Sequence, residues 1–299
     1  MDVLSERPRA KSFQELLMTF GSADFLIKQS ILPVVALCDG ESVIRCIGTG
    51  FFISCTGYIA TACHVLLDPY DRGYGRAIRG GEELKFNEKV KMGVVMPINP
   101  VSGMGAYHFL PFEFGRFWGE WKESPLLNRP DEFKMHTDVA ICKVAPLSDG
   151  APYQPLNLSS KIFRLGEAAY AIGYAEMSDI DFERRDGAIV LKPFQQQLFV
   201  SIGDVIETYP NNLTEPQVPA PGPCFGFSAR VPGKMSGGPI LGAEGAVVRG
   251  LVSRSFSGEK HAFGSMVTPA MKLPIIDETL EQMMLRGNEG IPHVQGSGL

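Results

Sequence analysis

Pro232-Gly233-Lys234-Met235-Ser236-Gly237-Gly238-Pro239 sets a serine inside a glycine-rich turn. A serine hydroxyl is a poor nucleophile until a base takes its proton and a tight turn presents it. Gly237 and Gly238 carry no Cβ, so the backbone can bend and a substrate can come close. Neighbouring backbone N–H groups can then face the oxygen that turns negative during acyl transfer. Ser-Gly-Gly-Pro is also ordinary turn chemistry, so partners elsewhere in the chain must decide between the two readings.

Two partners stand upstream. Thr61-Ala62-Cys63-His64-Val65 closes a strand-like run that starts after Gly57, which puts His64 where a strand meets a loop. A neutral imidazole accepts a proton near physiological pH, the property a base for Ser236 needs. His136-Thr137-Asp138-Val139-Ala140-Ile141 opens another strand, with Asp138 at its entrance. A buried carboxylate there can hold the far ring N–H of a histidine and steady the imidazolium. Asp68, Asp71 and Asp131 are rival orienters, but none leads so directly into a strand.

Around these residues the chain reads as strands. Its 299 residues are 44% hydrophobic, enough for a large core. Apolar runs at 31–37, 43–47, 50–54 and 58–62 are short and punctuated by glycine, and Asp39-Gly40 is a hairpin signal. Strands resume at 138–144, 168–172, 189–191, 198–206, 240–241, 247–253 and 262–267. The pattern is all-β, with two strand-rich halves at about 30–145 and 160–270 forming two antiparallel barrels around a cleft. Ser12 and Glu15 fit a capping box for an N-terminal helix, a helical turn follows at 22–29, and residues 1–29 form a helical extension. Five prolines mark 209–223 as a loop; 276–286 read as a helix with Ile276, Leu280, Met283 and Met284 on one face, and 276–299 as that helix plus a disordered tail from Gly287. The least regular part, 68–136, holds Phe109, Phe112, Phe114, Phe117, Trp118 and Trp121, either local core or a substrate groove.

Composition excludes several functions. The net charge is −5 with acids and bases mixed, so no basic stripe invites nucleic acid. No apolar run approaches the ~20 residues that span a bilayer, so no membrane partner is expected. The charged stretch Met1 to Lys11 lacks the layout of a secretory signal. Cys38, Cys46, Cys55, Cys63, Cys142 and Cys224 therefore read as reduced thiols of a cytoplasmic protein. The five histidines show no paired-ligand spacing, so neither a metal nor another cofactor is expected.

The motifs together resemble the trypsin-like serine proteases, in particular their bacterial Do-like (high-temperature-requirement) branch. The match rests on Gly48-Thr49-Gly50-Phe51-Phe52-Ile53, Tyr58-Ile59-Ala60-Thr61-Ala62-Cys63-His64-Val65, Thr137-Asp138-Val139-Ala140-Ile141 and Met235-Ser236-Gly237-Gly238-Pro239. The order His, Asp, Ser is that family's; an esterase of the α/β-hydrolase type would run Ser, Asp, His. The resemblance covers about 30–275 and implies a protease domain there, folded as a double six-stranded antiparallel β-barrel. It implies a serine endopeptidase acting on protein or peptide through an acyl-enzyme, with a catalytic triad of His64, Asp138 and Ser236. It also implies an oxyanion hole from Ser236 with Lys234 or Gly233.

The sequence departs from the pattern in two places. Lys234 occupies a position usually held by glycine, two before the nucleophile. A side chain there can flip the peptide and misplace a donor at a cost of about 3 kcal/mol, which points to activity controlled through the oxyanion loop. The segment 68–136 lengthens the gap between His64 and Asp138 and offers a surface for a regulatory protein partner; no peptide-binding domain follows. The resemblance puts the substrate pocket floor at Ala229 or Arg230 and its walls at Ser253-Arg254-Ser255 and Gly264 to Met266. Small or apolar side chains fit such a pocket, or an acidic one if Arg230 points inward. The alternative is a catalytically inactive protease fold that binds a partner through the aromatic segment.

Overall fold

The computed structural model describes residues 11–12, 24–67, 75–77, 83–86, 88–98, 106–122, 132–185, 188–194, 198–210, 220–243, 247–255 and 260–293. Six strands build the first half: β1 (Ile31–Cys38), β2 (Val43–Phe52), β3 (Tyr58–Ala62), β4 (Val90–Ile98), β5 (Ala106–Lys122) and β6 (Glu132–Val144). They pair antiparallel in the ring β2–β1–β4–β5–β6–β3 and back to β2, which closes a barrel. Closure gives each of the six strands a partner on both sides. Asp39 and Gly40 do turn β1 into β2; Gly40 has φ +82°, the left-handed value the turn needs.

The second half repeats the design with β7 (Ala168–Tyr174), β8 (Leu198–Tyr209), β9 (Cys224–Phe227), β10 (Pro239–Leu241), β11 (Val247–Ser255) and β12 (Ala262–Met266). Its ring runs β8–β7–β10–β11–β12–β9 and back to β8. The fold is thus the expected pair of six-stranded antiparallel barrels. Leu32, Val34, Phe51, Ile59, Val94, Phe117 and Ile141 fill the first barrel, and Val205, Phe225, Phe227, Ile240 and Val252 the second.

Several local expectations change. The segment 68–136 supplies β4, β5 and the start of β6. Phe112 and Phe117 are buried and Phe109, Phe114 and Trp118 pack against the same core. Residues 68–74, 78–82, 99–105 and 123–131 lie outside the described residues. The run at 189–191 is a strand, but it belongs to a hairpin, Ile180–Arg185 with Ala188–Leu191, that reaches across to the first barrel. There Ile180 pairs with Ile44 and Asp181 with Val43.

Ser12, read as a helix cap, is instead strand: Lys11 and Ser12 pair with Val200 and Phe199. The helix expected beyond it falls on 13–23, outside the described residues, as does 211–219 of the proline-rich loop. A short helix α1 (Asp24–Ser30) matches the expected turn. The C-terminal helix, α3, covers only Leu280–Arg286, because Thr279 caps it and Gln282 completes the capping box. Ile276 precedes it and is exposed, while Leu280 and Met283 are buried. The chain after Gly287 is bonded through His293: the Cys55 N–H donates to the Gly290 carbonyl at 3.2 Å, and Ile291 is buried.

Candidate active site

The register of two strands brings His64 and Asp138 together. In β3 and β6, Ala62 pairs with Val139, so the residues just beyond, Cys63 and Asp138, face each other across the ladder. His64 then sits in a one-turn helix, α2 (Cys63–Leu67), that begins where β3 stops. Its backbone N–H donates to Asp138 Oδ1 at 2.8 Å, and its ring Nδ1 lies 2.7 Å from Asp138 Oδ2. The Asp138 side chain is fully buried, whereas a quarter of His64 reaches solvent. A buried carboxylate must be satisfied by several donors. Ser253 supplies a third, its hydroxyl donating to Asp138 Oδ2 at 2.5 Å.

Ser236 reaches the same place from the second barrel. Its carbonyl accepts the Thr49 N–H at 2.8 Å, and its Oγ donates to the Ser253 carbonyl at 3.4 Å. Ser253 therefore links the serine turn to the carboxylate that holds His64. The two glycines after Ser236 are required by space. A Cβ on Gly237, at φ +85°, would lie 2.2 Å from the Thr49 carbonyl oxygen and 2.7 Å from the Ala62 nitrogen. One on Gly238 would lie 2.1 Å from the Ile172 oxygen. The turn is thus wedged between β2 and β3 of one barrel and β7 of the other.

The turn itself is bent in an unusual way. Lys234 has φ +70°, the left-handed value that a residue with a Cβ seldom adopts. Lys234 thus takes a backbone conformation more usual for glycine, despite its side chain. The Gly233 carbonyl accepts the Glu176 N–H at 3.3 Å, the Lys234 carbonyl the Thr49 hydroxyl at 3.0 Å, and the Met235 carbonyl the Gly238 N–H at 2.9 Å. The Lys234 ammonium also donates to the Met177 carbonyl. Because each peptide is trans and planar, its N–H points away from its pinned carbonyl. Among the described residues the amides of Lys234, Met235 and Ser236 find no acceptor.

The other residues named from sequence are placed less uniformly. Ala229 is buried in the second barrel's core, and Arg230 is exposed, its carbonyl held by the Ser201 hydroxyl at 2.8 Å. The Ser253 hydroxyl is directed at Asp138, where it meets the carboxylate's need for a further donor. Arg254 is exposed and Ser255 half-buried. The face of Gly264 is taken by Phe225 and Ile240, at 2.5 and 2.6 Å from where a Cβ would stand. Thr49 escaped the sequence reading, where it was only part of Gly48-Thr49-Gly50. The signal was a polar β-branched residue between two glycines inside an apolar strand.

Among the described residues no group of three His, Cys, Asp or Glu side chains could hold a metal ion, and no helix is long and apolar enough to cross a membrane. Burial pushes the Cys63 thiol well up, reinforced by the Asp138 charge, so this neighbour of His64 is no rival nucleophile.

Paired antiparallel barrels with a histidine, a carboxylate and a turn-borne serine on one hydrogen-bonded network define the trypsin-like class of serine proteases. Residues 48–248 match the model of the trypsin-like peptidase domain, and the chain belongs to that family. Among solved structures it is similar to Deg5, with 16% identity, a TM-score of 0.48, and 86% of this chain and 91% of that one covered. It is also similar to the HtrA-type protease AlgW with a decapeptide, at 13% identity and a TM-score of 0.48, covering 89% of this chain and 68% of that one. No curated protein sequence matches it.

Proposed function

We propose that the protein is a serine endopeptidase in which Ser236 attacks the scissile carbonyl and His64 takes its proton. The observation that carries this reading is the double grip of buried Asp138 on the backbone and ring of His64. Nδ1 facing a carboxylate carries the proton, which leaves Nε2 as the basic nitrogen. Asp138 then stabilises the imidazolium as the tetrahedral intermediate forms. His64 next gives the proton to the leaving amine, an acyl-enzyme remains on Ser236, and water releases it by the same route in reverse. The developing oxyanion is received by the amides of Ser236 and Lys234, with Gly233 shaping the turn.

The substrates are proteins or peptides, as the family implies. The kinship to the Do-like branch and an intracellular setting, which six free thiols fit, belong to the same proposal. So does control through the oxyanion turn by a regulatory protein. A digest of a peptide library, run beside the Ser236→Ala variant, tests it. Cleavage that disappears in the variant is expected; cleavage that persists in it would remove Ser236 from the mechanism.

A further inference from the structure

The geometry points to Thr49 as a positioning residue that holds the oxyanion turn in its binding conformation from the opposite barrel. The inference rests on the reading above, in which the amides of Lys234 and Ser236 receive the oxyanion. Thr49 is fully buried in β2. Its N–H donates to the Ser236 carbonyl at 2.8 Å, and its hydroxyl donates to the Lys234 carbonyl at 3.0 Å. The same hydroxyl accepts the Tyr174 N–H at 2.9 Å, and the Thr49 carbonyl accepts the Thr61 hydroxyl at 2.7 Å.

The direction of this relay is forced. The Tyr174 amide can only donate and the Lys234 carbonyl can only accept, so the hydroxyl between them has one orientation. A residue at that point must accept and donate at once in little space. Threonine and serine do both, and valine, of the same shape as threonine, does neither. Among the described residues this is the only side chain bonded to the carbonyls of 233–236; the others are held by backbone amides.

Lys234 makes the hydroxyl matter. At φ +70° a residue with a Cβ persists only where the surroundings over-determine it. Glu176 fixes the peptide before Lys234, and the Thr49 hydroxyl fixes the peptide after it. Without the hydroxyl the peptide after Lys234 is released, Lys234 relaxes toward the ordinary φ range, and the amides of Lys234 and Ser236 on either side lose their common alignment. Ground-state substrate binding, made mostly elsewhere in the cleft, changes little.

The test compares Thr49→Val and Thr49→Ser with the parent protein, both checked for folding by circular dichroism. Thr49→Val should lower kcat by about 10²-fold, in the range found for losing one oxyanion donor, with KM changed by less than about threefold. Affinity for a peptide aldehyde, which forms the tetrahedral adduct, should fall in parallel. Thr49→Ser should stay within about threefold of the parent. Lys234→Gly added to Thr49→Val should recover much of the lost kcat, since glycine adopts positive φ freely. Amide hydrogen exchange across 232–238 gives a readout independent of catalysis: it should quicken in Thr49→Val and not in Thr49→Ser. If Thr49→Val does not fold, Thr49→Ala, which also lacks the hydroxyl, takes its place. Unchanged exchange, or a serine variant as damaged as the valine one, would overturn the inference. Hydrolysis that survives Ser236→Ala would overturn the function instead, while the exchange comparison still decides the clamp.

Discussion

Asp138 grips His64 at two points, with Oδ1 on the backbone N–H and Oδ2 on the ring, at 2.8 and 2.7 Å. The backbone bond fixes where the histidine sits, and the ring bond fixes which way it faces. Replacing Asp138 by Asn keeps the shape but offers a donor where Nδ1–H also donates, so the ring adopts the wrong tautomer. Asp138→Asn should lower kcat by about 10⁴-fold. Steady-state kinetics on a peptide substrate, with folding checked by circular dichroism, measure it, and a loss under about tenfold would argue against the role.

Gly237 carries a prediction about stability. A methyl group there would meet the Thr49 carbonyl, the Thr61 hydroxyl and the Ala62 nitrogen at 2.2–2.7 Å, all fixed by strands, at φ +85°. Gly237→Ala should destabilise the fold by about 3 kcal/mol or more, beyond the usual range for a point change. Urea unfolding reads the difference, and a variant as stable as the parent would mean the turn is looser than described.

The second barrel holds a charge pair with an acid-sensitive side. Arg249 is buried, stacks 4.0 Å from the Phe163 ring centroid, and donates to Glu167 at 2.7 Å. Partial burial pushes the Glu167 carboxyl up, but the Arg164 N–H and Arg249 outweigh it and hold it below its usual value. A depressed pKa in the folded state stabilises the protein above the unfolded value near 4.5 and loses that contribution as pH falls through the folded one. Glu167→Gln should remove this share of the acid sensitivity between about pH 5 and 3 in thermal melts. Melting curves that shift equally with pH in both proteins would contradict the pairing.

The cysteines sort by burial. Cys63 and Cys142 are fully buried, and burial pushes both thiols well up. Cys38 and Cys55 are partly exposed. Iodoacetamide on the native protein near pH 8, followed by peptide mapping, should modify Cys38 and Cys55 and spare Cys63 and Cys142. Early modification of Cys63 would show that the floor under His64 opens.

The barrels were legible because short alternating strands are local patterns, and the His64–Asp138 pair stood out as a histidine at a strand end and an aspartate at a strand start. The C-terminal helix start was misplaced because Thr279 outcompetes an apolar face beginning at Ile276. The 180–191 hairpin was assigned to the wrong barrel because pairing of Ile180 with Ile44 joins residues far apart in the chain and leaves no local trace. The conformation of Lys234 was not legible for a related reason. Residue identity says that lysine disfavours positive φ, while the bonds that impose it come from Glu176 and Thr49 in distant segments. The bond from Ser253 to Asp138 was equally out of reach, because it joins strands 115 residues apart.

Treatment with a fluorophosphonate, followed by mass mapping of the adduct, asks most directly whether the three side chains work as one. The account predicts a single phosphonyl group on Ser236 that disappears in Ser236→Ala and forms orders of magnitude more slowly in His64→Ala. An unlabelled Ser236 in the folded protein, or labelling as fast without the His64 imidazole as with it, would contradict it.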